Sequence, residues 1–156
     1  MSPDLAAEIL AFAFESDKPL YRTTLQAVAE ARKVRLIFLE RQPRAQRHTA
    51  MLATLTRPSL ELITGNLIRT WLLKKHNGML VDFLNALGVK HNEGVVDDLP
   101  ATMEDEKLKA GVDALTAKYP PEAIAVYLNA FNDMNEANWP NLKTMLESDK
   151  RLQLGG

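Results

Sequence analysis

Eight prolines punctuate this chain of 156 residues, and nearly all of them stand where a helix can begin. A prolyl ring fixes φ at about −65° and removes the amide hydrogen, so proline fits the first turn of a helix and breaks its interior. Ser2 and Pro3 form a cap and first-turn pair ahead of "PDLAAEILAFAFES". Pro19 opens "PLYRTTLQAVAEARKVRLIFLERQ", where Leu25, Val28, Leu36 and Leu39 fall on one broad face. Pro43 ends or kinks that pattern, and "PRAQRHTAMLATLT" continues behind it in helical register. Pro58 opens "PSLELITGNLIRTWLLKKH" and Pro121 opens "PEAIAVYLNAFNDM".

Other residues mark the remaining ends. Asn77–Gly78 breaks the chain before "MLVDFLNAL", which stops at Gly88, a residue suited to a left-handed C-terminal position. Thr102 with Asp105 has the form of a capping box, and Asn138 stands as cap for "WPNLKTMLESDKRL". Apolar and polar residues nowhere alternate for long, and the β-branched residues are scattered, so strand signals are missing. The expectation is an all-α fold in a single domain of about seven helices. It divides into an N-terminal helical layer over about 1–56, helical hairpins over about 58–88 and 102–133, and a C-terminal helix over about 138–153.

The two expected hairpins echo each other. Leu80, Phe83, Leu84 and Leu87 follow the i, i+3, i+4, i+7 spacing of a buried helix face, and Ile124, Tyr127, Leu128 and Phe131 repeat it later. "FLNAL" corresponds to "YLNAF", which gives the pair a weak repeat character. Leu84 and Leu128 sit centrally in their sets and are expected in the core. Trp71, Tyr119, Tyr127 and Phe131 read as packing residues before they read as a cofactor stack. Asn85 and Asn129 each follow a core leucine, where they either hydrogen-bond between helices or face solvent.

Composition narrows the function classes. Apolar residues make up 46% and charged residues 25%, which is globular rather than disordered composition. With no cysteine there is no disulfide framework, thiolate metal site or cysteine nucleophile. Asp4 and Glu8 precede any basic residue, so no secretory signal is expected, and no apolar run suits a membrane span. A cytoplasmic protein that does not enter membranes is the expectation. The net charge of −1 conceals a split. Residues 1–80 carry 12 basic and 7 acidic side chains, and residues 81–156 carry 7 basic and 13 acidic ones. Such asymmetry marks a binding surface or two faces that attract each other across an oligomer.

Catalytic templates are absent from the sequence. There is no glycine-rich phosphate loop, no HExxH and no Glu-x-x-His pair, and none of the four serines (Ser2, Ser16, Ser59, Ser148) sits in a nucleophile elbow. His91 and Glu93, followed by Asp97 and Asp98, have ligand chemistry but crowd into one loop, where a solvated turn is the simpler reading. The stretch "RKVRLIFLERQPRAQRH" is the stronger candidate. Pro43 puts Arg44 and Arg47 in the first turns of a helix, where the dipole repels cations, so Arg41, Arg44, Arg47 and His48 form a candidate anion-binding group. The anion expected there is an acidic side chain from the C-terminal half, within the chain or across a dimer, ahead of a nucleic-acid backbone.

Within the same stretch, Leu36 to Leu39 are four consecutive apolar residues that cover every side of a helix. One small domain does not readily bury all four, whereas an assembly can. The sequence thus points to a non-enzymatic helical interaction or scaffold module that self-associates as a homodimer or homo-oligomer and requires no cofactor. Another protein partner is compatible with it. Nucleic-acid or other polyanion binding through residues 32–48 is the alternative, and a metal-dependent enzyme is the weakest reading.

Overall fold

The computed structural model describes residues 2–96, 98–134 and 138–153. Among these residues the chain is all-α, with nine α-helices and no strand. Helices α1 (Pro3–Ser16), α2 (Lys18–Arg32), α3 (Leu36–Glu40) and α4 (Arg44–Leu55) come first. A 3-10 turn at Pro58–Leu60 leads into α5 (Glu61–Lys75). Then come α6 (Asn77–Leu87), α7 (Asp105–Thr116), α8 (Pro121–Met134) and α9 (Pro140–Ser148), with a last 3-10 turn at Lys150–Leu152. No described helix is long and apolar enough to cross a membrane. Contacts gather into two compact units that divide between Trp71 and Leu72.

In the first unit, α2 packs against α1, α3 and α4. Its start and that of α1 obey the sequence: Ser2 Oγ accepts from the Leu5 amide at 3.1 Å, and Asp17 Oδ1 accepts from the Leu20 amide at 3.2 Å. Such caps satisfy amides that a helix leaves unpaired. The buried face comprises Ile9, Leu10 and Ala13 of α1, Leu25 and Val28 of α2, and Met51 and Leu55 of α4.

The long pattern behind Pro19 is not one helix. It stops where Lys33 turns left-handed at φ 56° and the Val34 amide bonds back to Ala29 O at 3.0 Å. Two further boundaries differ from the sequence reading. Glu104, without a side-chain cap, precedes α7, so Thr102 and Asp105 form no capping box. Asn138 is left-handed at φ 58°, and Trp139 rather than Asn138 occupies the cap position of α9. That helix ends at Ser148, because Asp149 turns its carboxylate onto the Arg151 amide at 2.9 Å and starts the closing 3-10 turn.

In the second unit the most extensive packing joins α6 to α7. Gly111 makes this possible: a Cβ there would lie 2.9 Å from Phe83 Cε1. Phe83 in turn meets Tyr127 and Phe131 edge-on, each at 5.6 Å, and Phe131 leans on Trp139. Leu84 and Leu128 are buried as expected. The two echoing asparagines both hold neighbouring chain: Asn129 Nδ2 donates to Leu152 O at 2.7 Å, and Asn85 Oδ1 meets His91. Tyr119 and Lys118 both donate to Asp82, at 2.6 and 3.1 Å, which fastens the end of α7 to α6. The Tyr119 hydrogen bond, and then that of Lys118, hold the Asp82 carboxyl below its usual range.

Leu128→Ala is expected to cost about 2–5 kcal/mol of stability by truncating a buried side chain. Gly111→Ala is expected to cost about 1–3 kcal/mol through overpacking, although alanine is the better helix former. Urea unfolding of each variant beside the wild type measures both. A Gly111→Ala protein as stable as wild type would mean that α6 and α7 do not approach this closely.

Candidate functional site

The left-handed stop at Lys33 sets the shape of the next segment. Because α2 ends there, "RLIFLE" forms a separate short helix, α3, instead of continuing a buried stripe. Leu39 turns inward and is 1% exposed, whereas Ile37 and Phe38 are 49% and 56% exposed. Together with Val34, Arg35, Arg41, Gln42 and Pro43 they line an open pocket of about 650 Å³. Its walls are apolar and its charged residues are two arginines. The buried Oε1 of Gln42 has no hydrogen-bond partner.

Arg44, Arg47 and His48 gather around Phe14 and Tyr21, whereas Arg41 lines the pocket. Arg44 lies over the Phe14 ring, 4.9 Å from its centroid, a cation–π contact. Arg47 is half-buried and hydrogen-bonded through Nε and Nη1. Its Nε donates to the Tyr21 hydroxyl at 2.8 Å, and its Nη1 donates to the carbonyls of Glu40 at 3.3 Å and Gln42 at 3.4 Å. His48 Nε2 lies 2.9 Å from the same Tyr21 oxygen. None of the four forms an ion pair with a described residue, so the expected carboxylate from the C-terminal half is not seen on them. Two cations near the start of α4 are accommodated instead by aromatic faces and carbonyl oxygens. Two other arginines of the stretch's surroundings are likewise structural: Arg32 donates to Thr54 Oγ1 at 3.1 Å and Arg57 to Ala31 O at 2.8 Å.

Tyr21 and Phe14, which complete this cluster, carry no signal in the sequence beyond being aromatic. Their rings meet edge-on at 5.1 Å, and both pack on the His48 imidazole. The Tyr21 oxygen accepts from Arg47 and shares a second hydrogen bond with His48 Nε2, whose direction follows the tautomer of the imidazole. Burial, and after it the charges of Arg47 and Arg44, hold His48 below its usual pKa range.

The His91 loop is a tight turn. Asn92 and Val95 exchange backbone hydrogen bonds at 2.8 and 3.0 Å. Glu93 and Gly94 between them both have positive φ, 51° and 88°, as a two-residue hairpin turn requires. His91 locks the turn with both ring nitrogens: Nδ1 accepts from the Gly94 amide at 3.1 Å, and Nε2 lies 2.7 Å from Asn85 Oδ1. Asn77 adds a bond to Glu93 O at 2.5 Å. Neither ring nitrogen of His91 is free to ligate, and the described residues contain no group of three or more potential metal ligands. The loop leaves Glu93, Val95 and Asp98 exposed. Asp97 lies outside the described residues.

Set against protein families, curated proteins and solved structures, the chain matches none of them.

Burial, and after it the charges of Arg47 and Arg44, disfavour the protonated form of His48, so its pKa is lower in the folded than in the unfolded chain. Stability from this group is therefore complete above the unfolded value of about 6.5 and is lost as pH falls from there toward the lowered folded value. His48→Gln is expected to remove that part of the pH dependence. Urea titrations of both proteins between pH 7.5 and pH 5 compare the slopes, and identical slopes would refute the assignment.

Proposed function

We propose that this protein is a non-enzymatic helical interaction module that associates with copies of itself, using the exposed face of α3 and its pocket. The supporting observation is the exposure of Ile37 and Phe38 side by side over an apolar pocket. Adjacent large apolar side chains left in water are a liability in a small protein unless something covers them. The opposed charges of the two parts of the sequence favour a second copy as that cover. Arg35 and Arg41 at the pocket make no ion pair with a described residue and are available to carboxylates of a neighbour.

Polyanion binding has less behind it. Arg47 is committed to Tyr21 and two carbonyls, and burial beside Arg47 and Arg44 disfavours the charged form of His48, so both have less to offer a phosphate.

A contact of this extent belongs among small, reversible interfaces. Sedimentation velocity at tens of micromolar is expected to show concentration-dependent association, weakened at least about tenfold by Phe38→Glu, or about 1.4 kcal/mol. A wild-type protein that stays monomeric across that range would remove the reading. Steeply salt-dependent binding of single- or double-stranded nucleic acid, abolished by Arg35→Glu/Arg41→Glu, would favour the polyanion alternative.

A further inference from the structure

We infer that the segment occupying the α3 pocket is the His91 hairpin of a second copy, so that the protein assembles head to tail. This rests on the self-association reading and names the surface that it leaves open. Complementarity of two exposed features carries it. The pocket offers Val34, Ile37, Phe38 and Pro43 as apolar walls, with Arg35 and Arg41 as its charged residues. The hairpin offers Val95, 44% exposed, between the exposed carboxylates of Glu93 and Asp98. A small aliphatic side chain flanked by anions matches an apolar pocket flanked by cations. Lys90 is the one basic residue in 89–99, against three acidic ones, so the segment as a whole is anionic.

Preorganisation strengthens the match. The hairpin is already fixed by His91, Asn77 and the paired Asn92 and Val95, so little order remains to be imposed on binding. In the pocket, the Gln42 amide has a buried oxygen without a partner, so reorienting it toward an occupant sacrifices no hydrogen bond at that atom. A two-fold pairing of α3 with α3 would instead bring Arg35 and Arg41 of both copies to one interface with only the two Glu40 carboxylates between them. Pocket and hairpin are different surfaces, and their contact is heterologous. It continues into rings or open chains rather than stopping at a dimer.

The test uses two full-length variants, Arg35→Glu/Arg41→Glu and Glu93→Lys/Asp98→Lys, checked for native helicity by circular dichroism and followed by sedimentation velocity. Each alone is expected to lose association by at least about tenfold. Mixed in equal amounts they are expected to recover it, because one supplies an intact pocket and the other an intact hairpin. Because the exchanged charges match as well, the mixture should grow beyond dimers as wild type does, with the two variants alternating. A chain carrying all four substitutions should again self-associate, with its charges exchanged. Val95→Ser, which leaves every charge in place, should weaken association as well.

Failure of the mixture to recover, with wild type associating, would overturn the head-to-tail contact and leave α3 pairing with itself. Wild-type-like association of the Glu93→Lys/Asp98→Lys variant would show that the hairpin is not the occupant. A monomeric wild type would remove self-association itself, and this inference with it.

Discussion

Arg47 holds the first unit's most exposed feature in place. Its guanidinium reaches from α4 to Tyr21 on α2 and to two carbonyls at the end of α3 and beyond it. A helix of five residues has too few internal hydrogen bonds to persist alone, so α3 depends on what anchors it. Leu39 anchors it by burial, and Arg47 anchors its last turn by hydrogen bonds. With both in place, Ile37 and Phe38 are presented outward on a fixed element. The same guanidinium donates to the Tyr21 hydroxyl, which also meets His48, and its charge adds to burial in holding the His48 pKa down. Packing, hydrogen bonding and titration in this unit are linked at one side chain.

Much of this architecture was legible because it rests on local rules. Helix starts at Pro3 and Pro121, and one residue before Pro19, follow from the geometry of proline, and Gly88 closes α6 in the left-handed conformation that glycine permits. Leu84 and Leu128 were readable as core from spacing alone. Lys33 was not readable as a stop, because a lysine at positive φ is there for a tertiary reason: the chain has to turn before Leu39 can reach the interior. The apparent capping box at Thr102 failed for a similar reason. The start of α7 is tied down instead by a distant residue, Asn141, whose side-chain amide donates to Met103 O and to Asp105 Oδ1.

The candidate sites show the same divide. The sequence located the cationic stretch and the overlong apolar run Leu36–Leu39, since charge and hydropathy are local properties. It could not tell that Arg47 faces inward and Arg41 outward, because that depends on Tyr21 and Phe14 arriving from two other helices. His91, a weak ligand candidate in a stretch that reads as a solvated turn, is the brace of that turn. Its imidazole accepts from one backbone amide and meets one side-chain amide, work for which no spacing rule exists. Asn85, ambiguous in the sequence, is the partner that completes it.

The last described turn has a consequence for the order of events during synthesis. Leu152 is fully buried, and Asn129 of α8 holds its carbonyl. The first unit ends at Trp71 within α5, and domains generally fold as units from the N-terminal side as they emerge. The second unit cannot close until a residue eighty positions beyond Leu72 has joined it. Until then Asn129 lacks that acceptor, and the apolar face of α8 that Leu152 covers stays in water. The packing of the second unit therefore closes only at its far end, with the last described turn.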